Sequence, residues 1–375
     1  MKSSRFSASR RSRAGAFAAA LAASGLILTA CGGSAPETSD ATGEAAEETP
    51  AEESAAEDSG ADESDASDAG DETTEEAPAA PRVGIFVDNA FGDGDFFDQA
   101  GKAEEQLVDA FGATVTTYEG QLEAQNFGPL LQDAGENNDI VFVLGFEAID
   151  AMLKAAGDNP DTTYVFIDAV IDSPDIVSAE FKTAEGCFMA GALAATMNQD
   201  QGSSIAGFIG GVDAPVVKNC ESGYTQGVAA VDADQSVAAQ YAGSFVDPGK
   251  GSEISIALAN QGAFSVFPYA GLTGAGAFDA AKSGENIGPI GVVADKSNLA
   301  PGKSPGSLEM GVDAVIMETT ADALAGTLEK GSVRSYGFAN GGWNMVYNSD
   351  FVSSDQEAAL DALQAQLEAG EIVLQ

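Results

Sequence analysis

Short apolar runs alternate with helix-like stretches from residue 82 onward, and this alternation constrains the fold more than any other feature of the chain. The runs at 82–88, 139–145 and 163–168 are almost continuously apolar, which is typical of strands buried on both faces of a parallel sheet. A second series of the same kind begins at 204–211. The sequence therefore predicts an α/β protein with doubly wound parallel sheets, arranged as two lobes.

The predicted elements follow one another at the short spacing of such a fold. We predict helices at 96–111, 185–197, 253–260 and 274–281. Two further helices follow the runs at 139–145 and 204–211 and end at about 156 and about 231. Beyond the four apolar runs, we predict strands at 113–118, 176–182, 236–241, 264–267 and 287–293. Ligands of open α/β sheets bind beyond the carboxyl ends of the strands. We therefore expect the binding site in the cleft between the lobes.

The first 81 residues have the composition of an export signal and a tether. Several basic residues precede an uncharged apolar stretch, 14–30, which ends at Cys31 in a sequence that resembles a bacterial lipobox. We predict a lipoprotein signal peptide over 1–30 and a lipid on Cys31; a plain secretory peptide is the alternative. Residues 31–81 are acidic and of low complexity, which predicts a disordered tether to the extracellular face of the cell membrane.

The remaining residues, 82–375, form the predicted folded domain. We expect the first lobe at about 82–201 plus a later segment, and the second at about 203–300 plus a C-terminal segment. Cys187 and Cys220 both begin predicted helices near the junction of the two series. Because export permits disulfides, these cysteines form either a disulfide or two buried thiols.

Charge and the lack of histidine exclude several classes of function. The chain has 16 basic and 59 acidic residues, a formal net charge of −43 at pH 7, which excludes nucleic-acid binding by phosphate neutralisation. It has no histidine, so Ser-His-Asp and Cys-His catalysis are impossible and the commonest zinc ligand is missing. We predict a protein that is not an enzyme and uses no cofactor or metal. The alternatives are a carboxylate enzyme built on Asp93, Asp95 and Asp98, and a calcium-binding acidic surface.

Five segments of the domain carry motifs in a fixed order. They are Phe91–Ala100, Ala184–Gly191, Ile205–Gly227, Tyr241–Asp247 and Tyr269–Gly276. They are similar, in turn, to D-x-x-S-F-N-Q, E-G-x-Y-L-A-G, I-G-F-I-G-G followed by G-F-x-x-G, Y-x-G-S-F-x-D and A-G-x-T-G-x-G. By these motifs the chain resembles the basic membrane protein family, lipoproteins similar to the purine-nucleoside receptor A substrate-binding proteins of ABC transporters.

The resemblance implies a type I periplasmic-binding-protein fold that closes on a small flat ligand. In that family the ligand is a purine nucleoside or a related nucleobase, which is passed to an ABC permease and its ATPase. The resemblance implies that the base stacks between aromatic rings. Phe97 is the first candidate ring, and the opposite ring is expected from Phe267, Tyr269 or Phe278.

Carboxylates and one glycine complete the predicted site. Asp98 stands where the family has Asn, and Asp168 lies at the end of a predicted strand; ionised carboxylates accept hydrogen bonds from N–H and O–H groups of a ligand. Asp93 precedes Asp98 in the same loop. Gly274 is expected to let a helix N-terminus approach the ligand.

Two departures from the family pattern bear on the ligand. Val293 and Met310 stand where the family has an Asp and a Lys, the pair that the resemblance implies as contacts of the ribose hydroxyls. Apolar side chains there leave buried hydroxyls without partners, which is costly. Asp295, Lys296 or Lys303 could compensate. Otherwise the ligand is a free base or another flat heterocycle, or the protein is a surface-sensing module with a non-nucleoside ligand and no transporter.

Overall fold

The structure is a computed structural model that describes residues 80–375. The predicted signal peptide, the predicted lipidation site Cys31 and nearly all of the predicted tether lie outside the described residues. The strands are β1 (Arg82–Val87), β2 (Thr114–Glu119), β3 (Ile140–Leu144), β4 (Thr163–Ile167), β5 (Ile176–Phe181), β6 (Ile205–Gly210), β7 (Ser236–Tyr241), β8 (Ala263–Tyr269), β9 (Gly288–Pro289), β10 (Gly291–Val293), β11 (Gly306–Met310), β12 (Val333–Tyr336) and β13 (Trp343–Tyr347).

Ten α-helices cover the sheets within the described residues. They are α1 (Phe96–Gly101), α2 (Ala103–Phe111), α3 (Ala124–Asn137), α4 (Ile149–Asp158), α5 (Thr183–Gln201), α6 (Pro215–Val231), α7 (Pro248–Asn260), α8 (Ala275–Lys282), α9 (Val312–Leu324) and α10 (Ser354–Glu368).

The strands form two parallel sheets and a smaller mixed one. The first sheet has the order β12-β5-β4-β3-β1-β2, and all of its pairs are parallel. The second has the order β7-β6-β8-β9 and is also parallel. The third, β10-β11-β13, begins one residue after β9, and the intervening Ile290 N–H donates to the Val266 carbonyl. The predicted α/β fold with two doubly wound lobes is confirmed.

Three chain crossings connect the lobes at one place. They lie at Lys182 after β5, at Gly311 between β11 and α9, and between Gly337 and Gly342. The Gly311 N–H donates to the Gly342 carbonyl over 3.0 Å, and the Trp343 indole N–H donates to the Lys182 carbonyl over 3.1 Å. Because these bonds join all three crossings, the hinge is a single hydrogen-bonded cluster. It contains the chain's one tryptophan, which is 2% exposed.

The structure differs from the sequence-based elements in several places. No elements are predicted after residue 293, where the structure has β11, α9, β12, β13 and α10. The predicted strand 287–293 is divided into β9 and β10. Helix α3 was not predicted because Gly128 and Pro129 disfavour a helix interior, yet its buried Phe127 and Leu131 supply the apolar face. Helix α5 packs on α6 and β8, so we propose that the first lobe ends at Lys182 rather than near residue 201.

Helices α5 and α6 approach each other very closely. An ideal Cβ on Gly227 would lie 1.9 Å from the Phe188 carbonyl oxygen, and one on Gly191 would lie 2.1 Å from the Tyr224 carbonyl oxygen. Only glycine permits such contact between backbones. Cys187 of α5 and Cys220 of α6 form a disulfide across the same contact.

Reduction of this disulfide is expected to destabilise the second lobe. The bond closes a loop with a sequence separation of 33 residues, for which chain entropy gives about 3–4 kcal/mol of unfolding free energy. Urea denaturation with and without a reductant measures the change. The double variant Cys187→Ala/Cys220→Ala is the control, and its midpoint should not respond to reductant. An equal midpoint for the oxidised and reduced wild-type protein would contradict the prediction.

Candidate functional site

A buried ion pair joins the loop after β1 of the first sheet to the loop after β10 of the third sheet. Asp95 lies in the loop after β1, and Lys296 lies in the loop after β10. The Lys296 Nζ is 2.6 Å from the Asp95 Oδ2, and the two side chains are only 8% and 3% exposed. Burial raises the pKa of the Asp95 carboxyl, and the Lys296 ammonium opposes that shift. This contact fixes the place where the lobes meet.

Asp168 contributes a second carboxylate to the same region. It follows β4 directly and has a φ of 82°, a left-handed conformation that Asp tolerates better than most residues. Its Oδ1 is buried and has no hydrogen-bond partner among the described residues. Burial raises the pKa of Asp168 to about 7. A buried carboxylate oxygen that has no hydrogen-bond partner favours a ligand that donates hydrogen bonds.

Tyr269, at the end of β8, brings the second lobe to these carboxylates. Burial raises the pKa of the Tyr269 hydroxyl well above its usual value, and the Asp168 and Asp95 carboxylates raise it further, while the Thr183 side chain partly offsets this. Both acids therefore act electrostatically on the Tyr269 hydroxyl. The structure brings together two of the residues predicted for the site, Asp168 and Tyr269, and adds Asp95 and Lys296.

The other two predicted carboxylates hold their own loop in shape. Asp98 Oδ1 and Oδ2 accept from the Gly92 and Gly94 N–H groups over 2.6 and 2.7 Å. Asp93 Oδ1 accepts from the Asp95 N–H over 2.9 Å and from the Asp98 N–H over 3.1 Å. These bonds tie the loop to the start of α1. Asp93 and Asp98 thus hold in place the loop that presents Asp95, and their contact with a ligand stays a prediction.

The predicted aromatic residues occupy different environments. Phe97 is half-buried beside Phe96, with ring centroids 5.7 Å apart, in the helix that follows the Asp95 loop. Phe267 is fully buried and stacks on Tyr224 at 5.5 Å, and Phe278 is also in the core. Phe267 and Phe278 were therefore wrongly considered as stacking residues, since other side chains already cover their rings.

The structure also corrects Gly274 and adds two aromatic candidates. Gly274 is buried before α8, and an ideal Cβ there would lie 3.0 Å from the Pro268 carbonyl oxygen, so it serves packing within the second lobe. Phe245 covers Gly211 just beyond β6, and Phe146 follows β3 with 39% exposure. Both lie at carboxyl ends of strands, which is the signal that could have identified them.

A further acid pair lies at the ends of β1 and β3. Asp88 is buried, and its pKa is raised to about 8 by burial and then by a hydrogen bond with Glu147. An ideal Cβ on Gly145 would lie 1.9 Å from the Asp88 carboxyl carbon, and Gly145 has a φ of 109°. Glycine is therefore required for this close approach. This pair adds two more acidic side chains to the part of the cleft edge that the first lobe forms.

Neither a metal cluster nor a membrane span is present in the part of the chain that the structure describes. Residues 80–375 contain no group of three or more acidic or cysteine side chains placed to hold a metal ion. Within the same residues, no helix combines the length and apolar character needed to cross a bilayer.

Comparison with known proteins identifies the family. The family model described as ABC transporter substrate-binding protein PnrA-like matches residues 80–374. The chain belongs to the Bmp family. Basic membrane protein A of Borreliella burgdorferi is 28% identical over 309 residues, which cover 78% of this chain and 87% of that protein. The nucleoside-binding protein BmpA of an ABC transporter of Lactococcus lactis subsp. cremoris is 32% identical over 220 residues, covering 54% and 62%.

Solved structures support the fold of this Bmp-family chain. A solute-binding protein of an ABC transporter system from Aeropyrum pernix K1 has a TM-score of 0.68 and 22% identity, covering 78% of this chain and 92% of that one. A corresponding protein from Conexibacter woesei has a TM-score of 0.66 and 23% identity, covering 79% and 99%. The chain is thus an ABC transporter substrate-binding protein of the periplasmic-binding-protein type. Proteins of this family are binding subunits and not enzymes.

The two positions that differ from the motif pattern both lie in the interior of the structure. Val293 and Met310 are buried and apolar. Val293 keeps a φ of 72°, a conformation in which a β-branched residue is strained. Of the three charged residues that could compensate, Asp295 and Lys303 are exposed, and Lys296 alone enters the buried ion pair.

Proposed function

We propose that this Bmp-family protein is a lipid-anchored receptor on the extracellular face of the cell membrane. It binds a purine nucleoside or a related nucleobase between its lobes and delivers it to a permease and ATPase. One observation carries the proposal: Asp95 Oδ1 and Asp168 Oδ1, in the segments that follow β1 and β4, are buried without hydrogen-bond partners in the described residues. The nucleoside-binding relative from Lactococcus lactis supports the ligand class, and the lipobox at Cys31 supports the anchor.

Aromatic rings on both lobes favour a flat ligand. Phe97 lies on α1 of the first lobe, whereas Tyr269 and Phe245 lie at strand ends of the second. Rings that meet from opposite sides contribute apolar area and offset stacking to a heterocycle. The acidic groups then bind the polar edge of the ligand. This arrangement gives each lobe both a stacking and a hydrogen-bonding role.

A thermal-shift screen tests the proposal. Purine and pyrimidine nucleosides, their free bases and sugars are added to the purified protein. A ligand that binds only the folded state adds RT ln(1 + [L]/Kd) to the unfolding free energy, about 2.7 kcal/mol at 100-fold excess over Kd. We expect a shift with at least one purine nucleoside or base. Shifts with sugars alone would contradict the ligand class.

A surface-sensing module with a non-nucleoside ligand is the second candidate. The apolar Val293 and Met310 favour it, because they remove the charged pair that the family pattern places there. Neighbouring genes for a permease and an ATPase, together with a nucleoside-dependent shift, would reject this candidate. A shift with another flat heterocycle, and no such neighbours, would support it.

Replacement of Phe97 by alanine is expected to weaken nucleoside binding by about tenfold, since base–aromatic stacking contributes about 1–3 kcal/mol. Isothermal titration calorimetry measures the affinity. Phe111→Ala is the matched control. Phe111 is also half-buried, but it ends α2 just before β2 begins, at the amino ends of the strands and away from their carboxyl ends. Equal affinities for wild-type protein and Phe97→Ala would show that this ring does not touch the ligand.

A further inference from the structure

The Asp95–Lys296 pair differs from the other ion pairs of residues 80–375. It is buried on both sides, with exposures of 8% and 3%, whereas every other pair has side chains at least 21% exposed. It also joins a loop of the first sheet to a loop of the third. A buried pair is a poor source of net stability, because the desolvation of both charges opposes their attraction. Its place in the cleft therefore indicates a role in binding.

The pair uses only part of its hydrogen-bonding capacity within the described residues. Asp95 Oδ2 accepts from the Lys296 ammonium, while Asp95 Oδ1 is buried without a partner, as is Asp168 Oδ1. An ammonium has three N–H donors, and the described residues accept one of those of Lys296. A free acceptor and free donors thus stand side by side in a buried place.

A hydroxyl group matches this arrangement. A hydroxyl donates one hydrogen bond and accepts others through the same oxygen atom, so it can donate to a carboxylate and accept from an ammonium at once. A ring N–H only donates and a ring carbonyl only accepts. Hydroxyls of a sugar ring would use Asp95 together with Lys296.

We propose that Asp95 and Lys296 form a subsite for the sugar hydroxyls of the ligand. This inference rests on the proposed function and makes it more specific. The ligand is then a nucleoside with an intact ribose rather than a free base. The pair takes the place of the charged residues that Val293 and Met310 lack.

The test measures the affinity of each variant for ligands that carry different numbers of sugar hydroxyls. The nucleoside among inosine, guanosine and adenosine that binds wild-type protein most tightly is titrated calorimetrically beside its 2′-deoxy and 3′-deoxy analogues and its free base. Lys296→Met is expected to weaken the nucleoside at least tenfold. Its affinities for the free base and for the analogue that lacks the contacted hydroxyl should differ from those of wild-type protein by less than threefold.

Two further variants separate this role from a structural one. Asp95→Asn/Lys296→Met removes both charges, so no unpaired charge remains buried, and it should fold and still fail to distinguish the nucleoside from the deoxy analogue. Lys154→Met, on an exposed ion pair of α4 with Lys154 78% exposed, should behave as wild type.

The outcomes distinguish the subsite from the proposed function. Equal losses for nucleoside, deoxy analogue and base in Lys296→Met would mean that the pair only closes the lobes, which overturns the subsite and leaves the nucleoside receptor intact. Tighter binding of the free base than of the nucleoside by wild-type protein would also overturn it. Binding of none of these compounds by wild-type protein would reject the proposed function itself.

Discussion

Asp168→Asn is expected to weaken nucleoside binding about 10- to 100-fold while it makes the folded protein more stable above pH 7. The loss of affinity follows from the removal of a charged acceptor, since hydrogen bonds to charged groups contribute about 1.5–3 kcal/mol. Asparagine keeps the shape of the side chain and tolerates the φ of 82° at this position. The variant therefore separates the chemistry of the carboxylate from its packing.

The gain in stability follows from the raised pKa of Asp168. The pKa is about 7 in the folded protein and about 3.9 in an unfolded chain, so folding disfavours the ionised form. Wild-type protein thus loses stability as pH rises from about 4 to about 7, and Asp168→Asn does not. Between pH 5.5 and 8.5, its advantage in unfolding free energy should grow by about 1–2 kcal/mol.

Urea denaturation and calorimetric titration at several pH values check both parts. The affinity of wild-type protein should rise between pH 6 and 8, as the carboxylate ionises, and that of Asp168→Asn should stay flat. Asp172→Asn, in the exposed segment that follows, is the control and should change neither property. Unchanged affinity in Asp168→Asn would remove this residue from the site.

Gly227→Ala is expected to lower the unfolding free energy by about 3 kcal/mol or more. The added Cβ would lie 1.9 Å from the Phe188 carbonyl oxygen, and backbone atoms cannot turn aside as a side chain can. Helices α5 and α6 would have to separate, which disrupts the core that contains Phe188 and Tyr224. Overpacking of this kind is among the few causes of large effects from one methyl group.

The control is a glycine in a helix with open space around it. Gly157 lies near the end of α4, and an ideal Cβ there meets nothing within 4 Å. Gly157→Ala should be neutral or stabilise the protein by up to about 1 kcal/mol, because alanine is the better helix former. Urea midpoints for the two variants should therefore move in opposite directions. A Gly227→Ala midpoint equal to that of wild type would contradict the close packing.

The sequence was sufficient for the fold because the strands are buried on both faces. Continuous apolar runs such as 139–145 and 204–211 have no other common explanation in a chain of alternating elements. Secondary-structure prediction from the sequence failed where local propensity and tertiary packing disagree. Helix α3 contains Gly128 and Pro129 and forms because its apolar face is buried.

The site was predicted less completely because it depends on contacts between distant parts of the chain. Asp168 is predicted from its position at a strand end, and Tyr269 from the family resemblance. The structural role of Asp98 could not be predicted, since its hydrogen bonds to loop N–H groups exist only in the folded loop. The pairing of Asp95 with Lys296 spans 201 residues, and periodicity carries no information at such a separation.

The most direct test of a receptor that closes on its ligand uses the single tryptophan. Trp343 lies buried in the hinge and donates to the Lys182 carbonyl, so its fluorescence reports on the crossings between the lobes. Titration of the wild-type protein with a purine nucleoside should give a saturable change, and Asp168→Asn should need about 10- to 100-fold more nucleoside for half of that change. A titration that stays flat for every nucleoside and base, up to about 1 mM, would contradict the account.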